Sequence, residues 1–162
     1  MTAPALHLRP AAPDDADRLL AWRNRPEIVT LGTLQRRVDA AEHAAWFAEA
    51  LVSDHRLLLI VEADGEPVGQ IRFDALDAAN WSVSIYLLEP YTGRGLGTQA
   101  LRQACEIARE HGIETAWAFV RADNARSAAA FQRAGFAAAL EPCVDVPPQH
   151  QALRLEALGA HA

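Results

Sequence analysis

Cysteine is nearly missing from this chain: Cys105 and Cys143 are the only two. Two unpatterned thiols exclude a disulfide framework and a cysteine-based zinc site, and no metal is expected. Cys105 falls on a helical stretch and reads as a small core residue. Excess basic charge is missing too, since 15 Lys and Arg stand against 21 Asp and Glu, a net charge of −6. Neutralising phosphates needs a basic face, so nucleic acid is excluded as the main partner. The stretch from Met1 to Arg9 has no signal-peptide core, and no apolar run approaches the length of a membrane span. A soluble cytoplasmic protein with no membrane partner is expected. Hydrophobic residues make up 51% of 162 positions, in the globular range. That length suits one domain over 1–162 with a full core.

The chain is organised around Leu87-Leu88-Glu89-Pro90-Tyr91-Thr92-Gly93-Arg94-Gly95-Leu96-Gly97-Thr98. It reads as a strand end, a tight glycine turn and the first turn of a helix. Val83 to Leu88 is apolar and partly β-branched, which suits a buried strand. Pro90 stops it, because proline cannot donate to a ladder. Three glycines at alternate positions permit backbone shapes that a Cβ would block. From Leu96 onward, Ala100-Leu101, Ala104-Cys105 and Ile107-Ala108 share one helical face. A glycine turn feeding a helix start gathers free N–H groups and positive dipole at one spot, which suits phosphate. No Gly-Lys-Ser/Thr follows, so the turn is not a P-loop, and the last glycine of G-x-G-x-x-G is absent. Taken alone, the glycines fit a structural turn as well as an anion site.

Leu6 to Pro10 alternates as a short first strand. A helix starts at Pro13-Asp14-Asp15 and runs to Arg23-Asn24-Arg25, where Pro26 interrupts it. A second helix fits Asp39 to Val52, with Ala44, Trp46, Phe47, Ala50 and Leu51 as its apolar stripe. Strands fit Leu57 to Glu62, Val68 to Phe73 and Trp81 to Leu88, with Asp64-Gly65 as a hairpin turn. The helix after the glycine turn ends near His111-Gly112. A strand fits Thr115 to Val120, a helix Asn124 to Ala134, and a last strand Gln151 to Leu158 after a proline-broken connection. This order predicts an α/β fold: a mixed central sheet of six to seven strands with helices on both faces. In such sheets ligands bind at the carboxyl ends of strands, where the glycine turn lies.

Four features resemble the GNAT family of N-acetyltransferases. Tyr91-Thr92-Gly93-Arg94-Gly95-Leu96-Gly97 after its strand is similar to the family's pyrophosphate loop. Asn124-Ala125-Arg126-Ser127 resembles its Asn-x-x-Ser segment, Phe131-Gln132-Arg133-Ala134-Gly135-Phe136 its aromatic-x-x-x-Gly-Phe ending, and Glu66-Pro67-Val68-Gly69 the hairpin where its third strand begins. The resemblance implies the GNAT fold, acetyl-CoA as donor and an acyltransferase acting on an amine. It implies that backbone N–H groups from Gly93, Arg94, Gly95, Leu96, Gly97 and Thr98 hold the pyrophosphate. The backbone of Leu87 and Leu88 would pair with the pantetheine arm, and the Leu87 N–H would hold the developing oxyanion. Asn124 and Ser127 would line the pantetheine. The loop has Thr92 where Gln or Arg is usual. Phe131 stands where many members place a tyrosine acid, so it is expected only to pack beside the cofactor. Any acid would come from Tyr86, Tyr91 or water.

The acceptor amine must lose a proton before it attacks, and His43, Asp74, Glu89 and a water on Ser84 are the candidate bases. His43 has a suitable intrinsic pKa; its other reading is a surface histidine. Arg23, Asn24, His43, Trp46 and Asp74 are candidate acceptor contacts; the other reading of Asn24 is a helix cap, and that of Asp74 a turn residue. Trp22 to Glu27, His43 to Phe47 and Gly69 to Asp74 resemble a branch that acetylates nucleotide-linked amino sugars. The favoured partner is a small-molecule amine. Protein N-termini are the alternative acceptor, and a non-catalytic acetyl-CoA-binding module is the alternative class. The resemblance also implies a homodimer as one form of assembly.

Overall fold

Over the first half of the sheet the strands pair in sequence order. In the computed structural model, which describes residues 3–31, 35–139 and 141–156, β1 (Leu6–Pro10), β2 (Arg56–Ala63), β3 (Glu66–Ala75) and β4 (Asn80–Leu87) form an antiparallel run. The turn between β2 and β3 has φ of 50° at Asp64 and 84° at Gly65, the positive pair that a two-residue hairpin turn requires. Beyond β4 the chain crosses over, so β5 (Thr115–Arg121) lies parallel to it. β7 (His150–Leu155) and the two-residue edge strand β6 (Ala137–Ala138) complete the sheet antiparallel. The order is β1-β2-β3-β4-β5-β7-β6, a seven-stranded mixed sheet, as expected. Positions 157–158 of the expected last strand lie outside the described residues.

Side chains alternate across the sheet, giving it two apolar faces. One is covered by α4 (Leu96–Glu110) and α5 (Ala125–Arg133), whose Leu101, Ala104, Ala128 and Phe131 pack with Leu59, Val61, Ile71, Phe73 and Val83. The other is covered by α1 (Ala16–Arg23) and α3 (Ala40–Val52), whose Leu19, Trp22, Phe47 and Ala50 pack on Leu58 and Ile60. Asp39 caps α3, accepting from the Glu42 N–H at 2.7 Å. Pro26 does not simply end a helix: it opens a further short one, α2 (Pro26–Leu31), as proline at a first helical position can. No helix among the described residues is long and apolar enough to cross a membrane.

β4 and β5 do not stay together. Their parallel pairing covers only Asn80, Trp81 and Ser82 opposite Thr115, Ala116 and Trp117. The Trp117 indole N–H donates to Asn80 Oδ1 at 2.9 Å and pins this junction. Past Ser82 the strands part, leaving a cleft within the sheet that opens toward the glycine turn.

Candidate active site

The glycine turn has the geometry of an anion cradle. Gly93 and Gly95 have φ of 71° and 76°, the left-handed region. Gly95 is the N-cap of α4, and the Gln99 N–H to Gly95 carbonyl bond (3.3 Å) is the first bond of that helix. The N–H groups of Leu96, Gly97 and Thr98 therefore precede any intrahelical partner, and the helix dipole adds positive potential there. Asn124 caps α5, accepting from the Ser127 N–H at 3.2 Å, and brings the start of α5 beside the turn. This placement adds a residue the sequence reading left unassigned. The Arg126 guanidinium carbon lies 3.9 Å from the point where a Cβ on Gly93 would sit. Once Asn124 is taken as the cap, position 126 falls in the first turn of α5, which was the available signal. Diphosphate chemistry fits this cradle: free amides, a dipole and the two cations Arg94 and Arg126.

The cleft between β4 and β5 receives one amide in particular. The Leu88 N–H donates to the Val68 carbonyl at 2.8 Å, toward β3. Backbone groups alternate along a strand, so the Leu87 N–H points the other way, into the cleft. The expectation for Leu88 is corrected by the same bonds. Its N–H is engaged with Val68 and its carbonyl accepts from the Tyr91 N–H at 2.8 Å. Leu87 alone of the two presents its amide to an added extended chain. Phe131 is 2% exposed and packs edge-on against Phe136 at 5.1 Å. It is a core residue.

The face of the sheet under α1 and α3 carries the other candidates. Trp22 meets the Tyr86 ring edge-on at 6.2 Å, and the Tyr86 hydroxyl donates to Gln70 Oε1 at 3.3 Å. Burial pushes the Tyr86 hydroxyl well above the ordinary phenol range. It is held as a neutral hydrogen-bond donor, which argues against its use as an acid. His43 is 7% exposed, stacked on Phe47 at 5.9 Å and 5.8 Å from Trp46, so it is not a surface histidine. Burial first, and the charge of Arg23 second, push its imidazole below the usual value, so it stays neutral near pH 7. Two guanidinium groups lie over Trp46, with Arg56 Cζ at 5.6 Å and Arg72 Cζ at 5.3 Å from its ring.

Three expectations change here. Asp74 is neither a turn residue nor an open contact: it lies in β3 and accepts from Arg56 Nε at 3.1 Å and Arg72 Nε at 2.7 Å. Its two oxygens are taken up by those guanidinium groups, and it holds both arginines over Trp46. Asn24 does not offer its amide to a ligand. Its Nδ2 donates to the Val38 carbonyl and its Oδ1 accepts from the Val38 N–H, both at 2.7 Å. That clamp ties the segment entering α3 to the end of α1. Glu89 lies beyond β4, is exposed and makes no ion pair among the described residues. The structure thus gathers Arg23, His43, Trp46 and Tyr86 on one face.

The chain is similar to known proteins over most of its length. A family model described as the acetyltransferase (GNAT) domain matches residues 5–137. An L-methionine sulfoximine/L-methionine sulfone acetyltransferase of Pseudomonas aeruginosa is 30% identical over 104 residues, 61% of this chain and 60% of that protein. A streptothricin acetyltransferase of Streptomyces lavendulae is 33% identical over 95 residues, 56% of this chain and 49% of that protein. The match thus spans between half and three-fifths of the length of these relatives. A solved spermidine N-acetyltransferase of Vibrio cholerae, in complex with coenzyme A and spermine, superposes with a TM-score of 0.81 at 12% identity, covering 94% of this chain and 95% of that one. At that identity the likeness bears on the fold.

Proposed function

The chain belongs to the acetyltransferase (GNAT) family, and on that premise we propose that it moves an acetyl group from acetyl-CoA to the primary amine of a small molecule. The observation that carries this reading is the Leu87 N–H aimed into the cleft where β4 and β5 part. Acetyl-CoA supplies an acetyl group activated as a thioester. The amides of residues 93–98, with Arg94 and Arg126, hold its diphosphate, and the open edge of β4 takes its extended arm. The Leu87 amide donates to the carbonyl oxygen as negative charge builds on it; one such donor is typically worth about 10²–10³ in rate. His43, neutral in its aromatic pocket, accepts the proton that the amine gives up. Phe131 has no proton to offer, and a thiolate leaves tolerably without an acid because thiols titrate near 8.5.

The relatives act, by their names, on methionine sulfoximine or sulfone and on streptothricin, which are small molecules. Those names support a small acceptor over a protein N-terminus. Within that class a nucleotide-linked amino sugar is the leading candidate, on the likeness of the segments around Arg23, His43 and Arg72. Coenzyme A release from acetyl-CoA, measured against amino-sugar nucleotides, free amino acids, aminoglycosides, polyamines and N-terminal peptides, tests the reading. Amine-dependent release on a small molecule is expected. In the same assay His43→Ala is expected to lower kcat about 10²-fold with little change in KM for acetyl-CoA. Release on none of the amines would contradict an acetyltransferase of small molecules.

A further inference from the structure

The acceptor face holds more positive charge than its own carboxylates neutralise. Arg36 is paired with Glu42, and Arg56 and Arg72 share Asp74, with Glu49 a further 3.5 Å from Arg56. Arg23 is different. It makes no ion pair among the described residues, and its Nη1, like that of Arg56, is buried with no hydrogen-bond partner. A buried guanidinium nitrogen without an acceptor is costly to keep. Its charged surroundings include further cations: burial first, then Arg36, and more weakly Arg72, destabilise its charge, against partial compensation from Tyr86 and Glu42. Arg72 commits Nε to Asp74 and lies over Trp46.

The donor's diphosphate does not account for this arrangement. Its cradle belongs to α4 and α5, which cover the opposite face of the sheet. We propose that the acceptor itself carries an oxyanion, a carboxylate or a phosphate, received by Arg23 and Arg72 beside Tyr86 and Trp46. The inference rests on the reading that this face takes the acceptor. A guanidinium is suited to such a group, because its planar fork matches the two oxygens of a carboxylate or phosphate. The two cations also serve the chemistry: positive charge beside an amine disfavours its ammonium form, so more of it is free to attack.

Matched pairs of probes test this directly. Titration calorimetry on the full chain with coenzyme A bound compares L-methionine with L-methioninamide, and uridine diphosphate with uridine. The anionic member of one pair is expected to bind at least about tenfold tighter than its counterpart, equivalent to about 1.4 kcal/mol. Discrimination in the first pair assigns a carboxylate, and in the second a nucleotide phosphate. R23Q and R72Q are each expected to reduce the ratio severalfold, whereas R25Q, at a half-buried arginine paired with Glu27, keeps it. Unchanged coenzyme A affinity in each variant verifies its fold. Equal binding within both pairs, or a ratio that survives R23Q and R72Q, overturns the inference. Failure of coenzyme A to bind, or of any amine to release it from acetyl-CoA, would count against the acetyltransferase reading instead, and the probe ratios would then be measured on the chain without coenzyme A.

Discussion

Gly69→Ala is expected to lower kcat/KM for acetyl transfer by about 10²–10³, the range seen when one oxyanion donor is lost, while the chain stays folded. Gly69 lies opposite Leu87 in the antiparallel ladder. The bonded pair next to it joins Val68 and Leu88, so Gly69 and Leu87 form a non-hydrogen-bonded pair, where the strands approach most closely. A Cβ at Gly69 would sit 2.4 Å from the Tyr86 carbonyl oxygen, 2.6 Å from Leu87 Cδ2 and 3.1 Å from Leu87 Cα. The leucine methyl can rotate away, but the backbone oxygen cannot. β4 must shift at the residue whose amide faces the cleft, and misplacement by about an ångström is enough to cost such rates. Steady-state kinetics with far-UV circular dichroism checks this: the loss should fall in kcat, with the spectrum unchanged. A variant as fast as the parent would mean that the Leu87 amide is not needed at that position.

Asp15→Ala is expected to destabilise the chain by about 3 kcal/mol, the scale for breaking a buried ion pair, and to lower Tm by about 10 °C for a chain of this length. Asp15 is 1% exposed at the junction of β1 and α1. It accepts from Arg9 Nη1 and Nη2 at 2.8 and 2.9 Å, from Arg18 at 2.6 Å and from the Ala12 N–H at 2.8 Å. Arg9 also donates to Glu62 at 3.1 Å, so the loss spreads into β2. The Arg9 bonds, opposed by burial and helped by the Ala12 amide and the Arg18 charge, hold the Asp15 carboxyl down at about 2. An unfolded aspartate titrates near 3.9, so the depressed value contributes on the order of 2 kcal/mol above that pH. The sign follows from proton counts: between the two values the unfolded chain binds the proton and the folded chain does not. Stability from this group is therefore full above about pH 4 and is lost as pH falls toward 2. Thermal melts at pH 7 and pH 3 should differ less in Asp15→Ala than in the parent. Parallel losses would remove Asp15 from the acid response.

Much of this site is legible in the chain because it is built from neighbours in sequence. The apolar strand, the alternate glycines and the helical stripe from Leu96 describe a cradle within one stretch. Asn124 as a cap is equally local. What could not be read depends on residues far apart. Gly69 is visible as a hairpin glycine, but its contact with Leu87 needs the β3–β4 register. Asn24 beside two arginines looks like a ligand contact until Val38, fourteen positions on, takes both ends of its amide. Asp74 looks free until Arg56 arrives from β2. Leu88 continues the apolar run of its strand, and only its bonds to Val68 and Tyr91 show that its neighbour faces the cleft. Pro26 is ambiguous by nature, since one residue type can end one helix and open another. The missing partner of Arg23 is a property of packing, which no pattern of residue types encodes.

The most direct test of the central claim follows the Leu87 amide by nuclear magnetic resonance on the uniformly ¹⁵N-labelled chain. Acetyl-CoA and coenzyme A are added separately, without an acceptor amine. Both should move the amides of residues 93–98, because both carry the diphosphate. Acetyl-CoA alone should shift the Leu87 amide proton strongly downfield, as an N–H does when it gains a carbonyl acceptor. A Leu87 amide that responds identically to the two compounds, or to neither, would contradict the assignment of this N–H to the thioester carbonyl.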